Sequence, residues 1–242
     1  MKTALVTGSS RGIGRAIALR LARDGFRVIL HGVRPSEKLD AVKREIEETG
    51  GIAVTEHADL TDPTETAALA TRLGGVDVLV LNASVQYRTP WREITVEAAH
   101  AQLNCNFVSS LLLIQALTPH MERAGWGRVI TIGSVQEAKP HPDMLVYSAS
   151  KAAQANTVQS LALQLAGAGI TVNNVAPGVI YTDRNVEALS DPVYSEKVRA
   201  SIPVGFYGEP EDCAGIVSLL CSEEGRYITG QSIFVDGGKS IQ

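Results

Sequence analysis

The chain has 242 residues, of which 45% are hydrophobic and 20% charged, and its formal net charge is -4. This composition is typical of a globular protein with a sizeable core, and there is no block of lysine and arginine that would favour nucleic acid or an anionic membrane as a partner. No apolar run reaches the ~20 residues of a membrane-spanning helix, and the first residues lack the layout of a signal peptide. We therefore expect a cytoplasmic protein with neither nucleic acid nor a membrane as a partner.

The cysteines and histidines show no metal-ligand spacing. Cys105, Cys213 and Cys221 are odd in number, which favours reduced thiols and agrees with a cytoplasmic setting. The five histidines, His31 among them, are scattered and are interpreted as surface or packing residues. We predict no metal site.

Short apolar, β-branched runs alternate with longer helical patterns along the chain. Strands are predicted at residues 4–7, 27–31, 52–56, 76–81, 128–133, 171–175 and 232–235, and helices at 12–24, 36–49, 63–73, 96–123, 147–166 and 210–222. Strands that alternate with helices imply βαβ units and a parallel sheet. The pattern therefore predicts a single α/β domain over residues 1–242, a Rossmann-type, doubly wound sheet of seven parallel strands with helices on both faces.

Residues 177–209 interrupt this regular alternation. The stretch is rich in proline and glycine, including Asp191-Pro192, Gly205 and Gly208. We interpret it as an insertion that covers the substrate, and we expect residues 177–201 to become ordered when ligands bind.

A glycine-rich turn follows the first predicted strand and opens the first predicted helix. Gly8 permits the tight turn, Gly12 lets a pyrophosphate approach the backbone, and Gly14 allows close packing of the helix. The start of the helix offers free N–H groups and a positive dipole end to phosphates. The turn therefore predicts a dinucleotide site.

Tyr147 and Lys151 are four residues apart, so a helix would place them on one face. An ammonium beside a phenol favours the phenolate, which lowers the phenol's pKa towards the range where a general acid or base works at neutral pH. Ser134 is placed to hold the oxygen of a carbonyl or an alcohol. With the glycine-rich turn, these residues predict a nicotinamide-dependent oxidoreductase.

The residues after the second predicted strand indicate which dinucleotide is used. NAD-specific enzymes place a carboxylate there for the ribose hydroxyls, but this chain has none before Glu37. Arg11 and Arg34 are instead available for a 2′-phosphate. We predict NADP as the preferred cofactor and keep NAD as a possibility.

The chain resembles the short-chain dehydrogenase/reductase family over essentially its whole length. The spacing of the glycine-rich turn and the separation of Ser134 and Tyr147 both match that family. The resemblance implies a catalytic tetrad of Asn106, Ser134, Tyr147 and Lys151. In that tetrad, Asn106 helps to position a water that links Lys151 to solvent.

The resemblance also implies which residues contact the cofactor. These are Gly8, Ser10, Arg11, Gly12, Ile13, Gly14, Arg34, Asp59, Leu60, Asn82, Ala83, Tyr147, Lys151, Pro177, Gly178, Val179, Ile180 and Thr182. The segment 81–84 (Leu-Asn-Ala-Ser) departs from the family's Asn-Asn-Ala-Gly. Family members pair the helices predicted here at 96–123 and 147–166 across a two-fold axis, and their terminal strand and the helix at 210–221 form a second interface. Two perpendicular two-fold axes imply a homotetramer.

The substrate is a small carbonyl compound or alcohol, but several classes fit. Residues 129–134 and 227–238 resemble bacterial 3-oxoacyl-carrier-protein reductases, although a basic rim for an acidic carrier is sparse, with Arg88, Arg92 and Lys139 as candidates. A sugar, polyol or small-ketone dehydrogenase is the alternative. The predicted substrate contacts are Gln86, Gln136, Glu137 and His141. A non-catalytic NADP-binding redox sensor is a different class of function, against which the intact tetrad argues.

Overall fold

The computed structural model describes residues 1–242, apart from the side chains of Arg184, Glu187 and Ala188. It has seven strands: β1 Thr3–Val6, β2 Arg27–Gly32, β3 Ile52–His57, β4 Val78–Leu81, β5 Gly127–Ile132, β6 Ile170–Pro177 and β7 Ser232–Val235. Its α-helices are α1 Gly12–Arg23, α2 Glu37–Glu48, α3 Pro63–Leu73, α4 Val96–Leu103, α5 Ser109–Ala124, α6 Leu145–Leu165, α7 Asp183–Leu189, α8 Pro192–Ala200 and α9 Pro210–Cys221.

The seven strands form one parallel sheet in the order β3-β2-β1-β4-β5-β6-β7. The order reverses between β1 and β4, because β1 pairs with β2 on one side and β4 on the other. Ligands bind at such a switch point in open α/β sheets, outside the carboxyl ends of the strands. The predicted fold class is confirmed.

Helices cover both faces of the sheet, and successive side chains of each strand point alternately into the two cores on either side of it. In β1, Val6 packs into a cluster with Ile17 of α1 and Val217 of α9. Leu5 points to the opposite face and packs into a second cluster with Leu117 of α5 and Val158 of α6. Burial on both faces explains why the central strands are continuous apolar runs.

The predicted helix at 96–123 is divided in the structure. It consists of α4, a π-helical segment Asn104–Val108, and α5. The wider π turn lies where the sequence places Asn106. π-Helical turns inside α-helices are frequently found at functional sites.

The stretch at 177–209 contains two helices that its turn signals did not predict. Asp191 caps α8 by accepting hydrogen bonds from Val193 and Tyr194, and Pro192 occupies the first turn. A proline suits this position because its missing N–H would be unpaired there in any residue. The Asp-Pro pair therefore starts a helix instead of marking a loop.

Candidate active site

A cavity of about 790 Å³ runs along the carboxyl edge of the sheet and gathers most of the predicted site residues. Ser134, Tyr147 and Lys151 line it, as do Gln86, Gln136 and His141. Every predicted cofactor residue except Arg34 lines it as well. Asn106 and Glu137 lie behind its wall.

The glycine-rich turn is closely packed, which is why glycine is needed there. Gly8 and Gly12 have φ values of 64° and 54°, a region that residues with a side chain rarely adopt. A Cβ on Gly14 would lie 2.4 Å from the Gly8 carbonyl oxygen. The turn therefore holds the backbone close to the cavity at the start of α1. The backbone N–H groups of a helix's first turn have no partner within the helix and can bind an anion.

Side chains from two neighbouring strands fix this turn. The Asn82 side-chain amide donates to the carbonyl oxygens of Thr7 (2.9 Å) and Gly8 (3.1 Å). The Thr7 hydroxyl accepts from the backbone N–H groups of Asn82 (2.9 Å) and Ala83 (3.0 Å). Asn82 and Ala83 thus lie at the predicted place even though the segment departs from the family sequence.

His31, which the sequence indicates as a surface or packing residue, contacts the glycine-rich turn. It is buried, its Nδ1 accepts from the Gly8 N–H (3.2 Å), and its Nε2 donates to the Ala58 carbonyl (3.1 Å). Burial lowers the pKa of His31 to about 4. A neutral histidine therefore supports the glycine-rich turn, and its place at the carboxyl end of β2 was the available signal.

Asp59 and Leu60, after β3, line the cavity. The Asp59 carboxylate accepts from the hydroxyl (2.7 Å) and the N–H (2.9 Å) of Thr61. These bonds fix the loop after β3.

The two predicted phosphate-binding arginines differ in their surroundings. Arg11 lines the cavity and lies 3.9 Å from the Asp183 carboxylate. Arg34 instead makes a bidentate pair with Glu65, at 2.8 and 2.9 Å, and holds the pKa of Glu65 at about 2. The structure thus brings only Arg11 to the cavity, and Arg34 would have to leave Glu65 to reach a phosphate.

Tyr147 and Lys151 lie one turn apart on α6, as predicted, and both are buried. The Lys151 Nζ donates to the Ile132 carbonyl (2.6 Å) and to the Gln154 side chain (3.2 Å), and it lies 5.8 Å from the centre of the Tyr147 ring. A buried ammonium is tolerated only with such partners. The lysine is therefore held in place beside the phenol.

Asn106 lies behind these residues and links the π-helical segment to α6. Its side chain exchanges hydrogen bonds with the backbone of Val85, both at 2.9 Å, and donates to the Ser150 hydroxyl (3.0 Å). Ser150 in turn donates to the Tyr147 carbonyl (2.7 Å). Asn106 thus positions both the loop after β4 and the turn of α6 that carries Tyr147.

Ser134 follows β5 and begins a short 3-10 turn, Val135–Glu137, by accepting from the Gln136 N–H (3.2 Å). The Glu137 carboxylate accepts from Asn174 (2.9 and 3.1 Å) and from Ser232. Since these bonds tie it to β6 and β7, Glu137 has a structural role in place of the predicted contact with substrate.

The segment 177–182 forms the wall beside Ser134 and Tyr147. It is fixed at its base by hydrogen bonds of Gly178 to Val235 (2.9 Å) and of Tyr181 to Gly208 (2.7 Å). A Cβ on Gly12 would lie 3.3 Å from Thr182, so this segment closes over the glycine-rich turn.

Four cationic side chains also line the cavity: Arg88, Lys139, Lys197 and Lys239. We call the part of the cavity lined by these four residues and by Gln86, Gln136 and His141 the substrate half, after the role proposed for it below. The sequence analysis proposed Arg88 and Lys139 but missed Lys197 and Lys239. Arg92, the third predicted rim residue, instead lies over the Trp91 ring at 4.2 Å. Only the tertiary fold brings α8 and the turn after β7 to this place.

The residues present fit a dinucleotide. A tight glycine turn faces a helix N-terminus, Asp59 and Leu60 lie at one end of the cavity, and Tyr147 and Lys151 lie at the other. No carboxylate follows β2 at positions 31–34, which suits a 2′-phosphate. Among the described side chains there is no cluster that suits a metal ion.

A family model described as "Enoyl-(Acyl carrier protein) reductase" matches residues 8–240. The chain is 38% identical to a 3-oxoacyl-[acyl-carrier-protein] reductase of Staphylococcus aureus, over 98% of this chain and 97% of that protein. The chain belongs to the short-chain dehydrogenase/reductase family. It is thus an oxidoreductase of the class that acts on CH–OH or C=O groups with NAD(P), as the sequence predicts.

Two solved structures are similar over nearly their full lengths. A 3-oxoacyl (acyl-carrier-protein) reductase of Agrobacterium tumefaciens is 40% identical, with a TM-score of 0.93 and coverage of 98% of this chain and 93% of that one. A protein of Beutenbergia cavernae, assigned as an NAD(P)-dependent gluconate 5-dehydrogenase, is 34% identical, with a TM-score of 0.95 and coverage of 100% and 97%. Both hold NADP, in agreement with the cofactor predicted from the sequence.

Proposed function

We propose that the protein interconverts a ketone and a secondary alcohol with NADP(H), using Ser134, Tyr147 and Lys151 as its catalytic residues. The observation that carries this proposal is that these three side chains meet in one cavity with the glycine-rich turn. When bound, the cofactor supplies the hydride for the carbonyl carbon.

The chain's own residues supply binding and the proton. The hydroxyls of Ser134 and Tyr147 hold the carbonyl oxygen, and Tyr147 gives it a proton in the reductive direction. Lys151, fixed by Ile132 and Gln154, keeps a positive charge beside the phenol and favours its ionised form after the transfer. Asn106 fixes the position of α6 relative to the loop after β4. It also helps to position the water that returns a proton to Lys151.

Two substrate classes have support. A 3-oxoacyl thioester follows from the reductases of Staphylococcus aureus and Agrobacterium tumefaciens. A sugar or polyol follows from the gluconate 5-dehydrogenase assignment and from the polar lining of the substrate half by Gln86, Gln136 and His141.

The arrangement argues against a non-catalytic redox sensor. A sensor needs the dinucleotide site alone, whereas this cavity also holds the acid–base set.

We place the protein in the cytoplasm as a homotetramer. The described part of the chain contains no helix that is long and apolar enough to cross a membrane. Cys213 and Cys221 are buried thiols whose pKa burial raises to about 12.

Replacement of Tyr147 by phenylalanine tests the proposed chemistry. Turnover of a carbonyl panel, followed by NADPH oxidation, should fall by about 100-fold or more, because the proton donor is lost. NADPH binding, measured by fluorescence, and the melting temperature should stay close to those of the unmodified protein. A variant that keeps a tenth or more of the original rate would overturn the assignment of Tyr147.

A further inference from the structure

The four cations of the substrate half come from four separate parts of the chain. Arg88 lies in the loop after β4, Lys139 follows the 3-10 turn Val135–Glu137, Lys197 lies on α8, and Lys239 follows β7. Because they are far apart in sequence, only the fold accounts for their convergence on one cavity. We call them the cation cluster.

Contacts between these elements show that the cluster is assembled in the structure. Arg88 donates to the Tyr194 hydroxyl (3.3 Å) on α8, less than one turn before Lys197. Lys239 donates to the Ser201 hydroxyl, and the Lys139 Nζ lies 3.4 Å from the Lys239 carbonyl. The cations therefore lie around one opening.

Elsewhere on the surface some cations pair with carboxylates, whereas others, such as Arg23 and Arg123, have none within 4.0 Å in the described part of the chain. Arg15 pairs with Glu45, Arg72 with Glu56 and Arg199 with Glu196. Within the described residues, no member of the cation cluster has an Asp or Glu carboxylate within 4.0 Å, although the Lys139 Nζ donates to the main-chain oxygen of Gln242 (2.7 Å). What distinguishes the cluster is that four such cations line one cavity. The described acids that line the cavity, Asp59 and Asp183, lie at its dinucleotide side.

Lys239 shows the electrostatic effect of holding cations together without a paired carboxylate. It is partly buried, and burial together with the nearby charge of Lys139 lowers the pKa of Lys239. The nearby Asp236 opposes this shift only in part, and its carboxylate accepts from the N–H groups of Gly238 (2.9 Å) and Ser240 (2.6 Å) without forming an ion pair with the cluster. Like charges held together attract an anion, whose binding stabilises both of them.

We propose that the cation cluster binds an anionic group of the substrate, a carboxylate or a phosphate, and so selects anionic over neutral carbonyl compounds. This inference rests on the proposed function, because it assigns the substrate of the same site. The overall reaction stays balanced: ketone, NADPH and a proton give secondary alcohol and NADP⁺, and no bond to the anionic group changes. The carboxylate would belong to a small keto acid, and the phosphate to the carrier of a 3-oxoacyl thioester.

Matched substrates separate these possibilities. We would compare kcat/KM for 5-keto-D-gluconate with neutral D-fructose, and for acetoacetyl-coenzyme A with the uncharged acetoacetyl N-acetylcysteamine thioester. The anionic member of at least one pair should be preferred about tenfold, the value of one charge-assisted hydrogen bond. Preference in the first pair identifies the carboxylate as the source, and preference in the second identifies the phosphate. Equal values within both pairs would overturn the proposal.

Variants connect the preference to the cluster. The double substitution Lys139→Gln and Lys239→Gln should raise KM for the preferred anion about tenfold and leave KM for its neutral partner unchanged. The double substitution to arginine keeps the charges and should restore the low KM. Lys43→Gln is the matched control, since Lys43 pairs with Glu47 on α2 away from the cavity.

A binding measurement keeps the proposal testable without turnover. Calorimetric titration of the NADP⁺-bound protein with 5-keto-D-gluconate and with acetoacetyl-coenzyme A should show binding of at least one that weakens in the glutamine variant. Loss of all carbonyl reduction with this binding intact would contradict the proposed function alone. Reduction of neutral ketones without charge-dependent binding would contradict the cation cluster's role alone.

Discussion

At the scale of single residues, His31 shows how a structural side chain can couple the cofactor site to pH. Its Nδ1 must stay unprotonated to accept the Gly8 N–H, and burial lowers its pKa from 6.5 to about 4. Between these two values the unfolded chain binds a proton that the folded protein does not. Stability should therefore fall as pH decreases through this window and lose nothing further from His31 below it.

The variant His31→Asn, whose side chain can still accept from Gly8, removes this titration. The free energy of unfolding of the unmodified protein should drop between roughly pH 7 and pH 4 by up to about 3 kcal/mol more than that of the variant. Urea denaturation at several pH values measures this difference. Identical pH profiles for the two proteins would show that His31 does not titrate as its burial implies.

Two arginines, Arg11 and Arg34, are predicted to decide the preference for NADP. Arg11 lines the cavity, whereas Arg34 is bound by Glu65. We expect Arg11→Ala to weaken NADPH binding about tenfold more than NADH binding, because only NADPH carries the 2′-phosphate. Arg34→Ala should have the same direction but a smaller effect, and Glu65→Gln should strengthen NADPH binding by freeing Arg34. Fluorescence titration with both cofactors gives the ratios, and equal losses of NADH and NADPH binding would contradict this role for the arginines.

The sequence predicts that Ser134, Tyr147 and Lys151 act together, and the structure brings all three to one cavity, because their positions depend on local spacing along β5 and α6. The contacts of His31 and Lys239 could not be predicted, because they are made with distant segments: His31 with Gly8 and Ala58, and Lys239 with Ser201. Glu137 was assigned to the substrate because it follows Ser134 closely. Its actual partners, Asn174 and Ser232, are remote in sequence and invisible to a local pattern.

At the scale of elements, all seven strands were predicted to within about two residues, since burial on both faces leaves a clear apolar signal in each. The π-helical segment at Asn104–Val108 was not predicted, because it changes the turn without changing the apolar pattern of the helix. Helices α7 and α8 were not predicted, because Pro192 and the glycines and prolines that flank the two helices, such as Gly178 and Gly205, were interpreted as turn signals only.

Helix α8 supports the predicted ordering of residues 177–201 on ligand binding. None of its residues is buried, and polar contacts such as Ser195 with Tyr207 (2.9 Å) hold it in place. Backbone that is packed so lightly opens readily, and cavity-lining residues Tyr194 and Lys197 would gain contacts from bound ligands. Hydrogen exchange over 183–201 should slow severalfold when NADPH and substrate are added, whereas β5 should be unaffected. Unchanged exchange in α7 and α8 would rule out closure of this segment.

At the scale of the whole molecule, the surface carries apolar groups that a monomer would leave in water. On α6 Leu163 is 87% exposed, and β7 forms the edge of the sheet with Phe234 36% exposed. We propose that a homotetramer buries two surfaces of the chain. Leu163 lies on the first, formed by α4, α5 and α6, and Phe234 lies on the second, formed by β7 and α9. Two perpendicular two-fold axes through such surfaces close the assembly, so that it cannot grow further.

Light scattering at micromolar concentration should give about four times the chain mass of 25.7 kDa. Leu163→Glu and Phe234→Glu should each reduce the mass to about half of the tetramer's, because each buries a charge in one of the two interfaces. Ala68→Glu on the exposed face of α3 adds the same charge elsewhere and should leave the tetramer intact. A mass near 25.7 kDa for the unmodified protein would exclude both interfaces. A mass near twice that value would leave only one interface. The glutamate variant that then forms monomers would show which of the two interfaces it is.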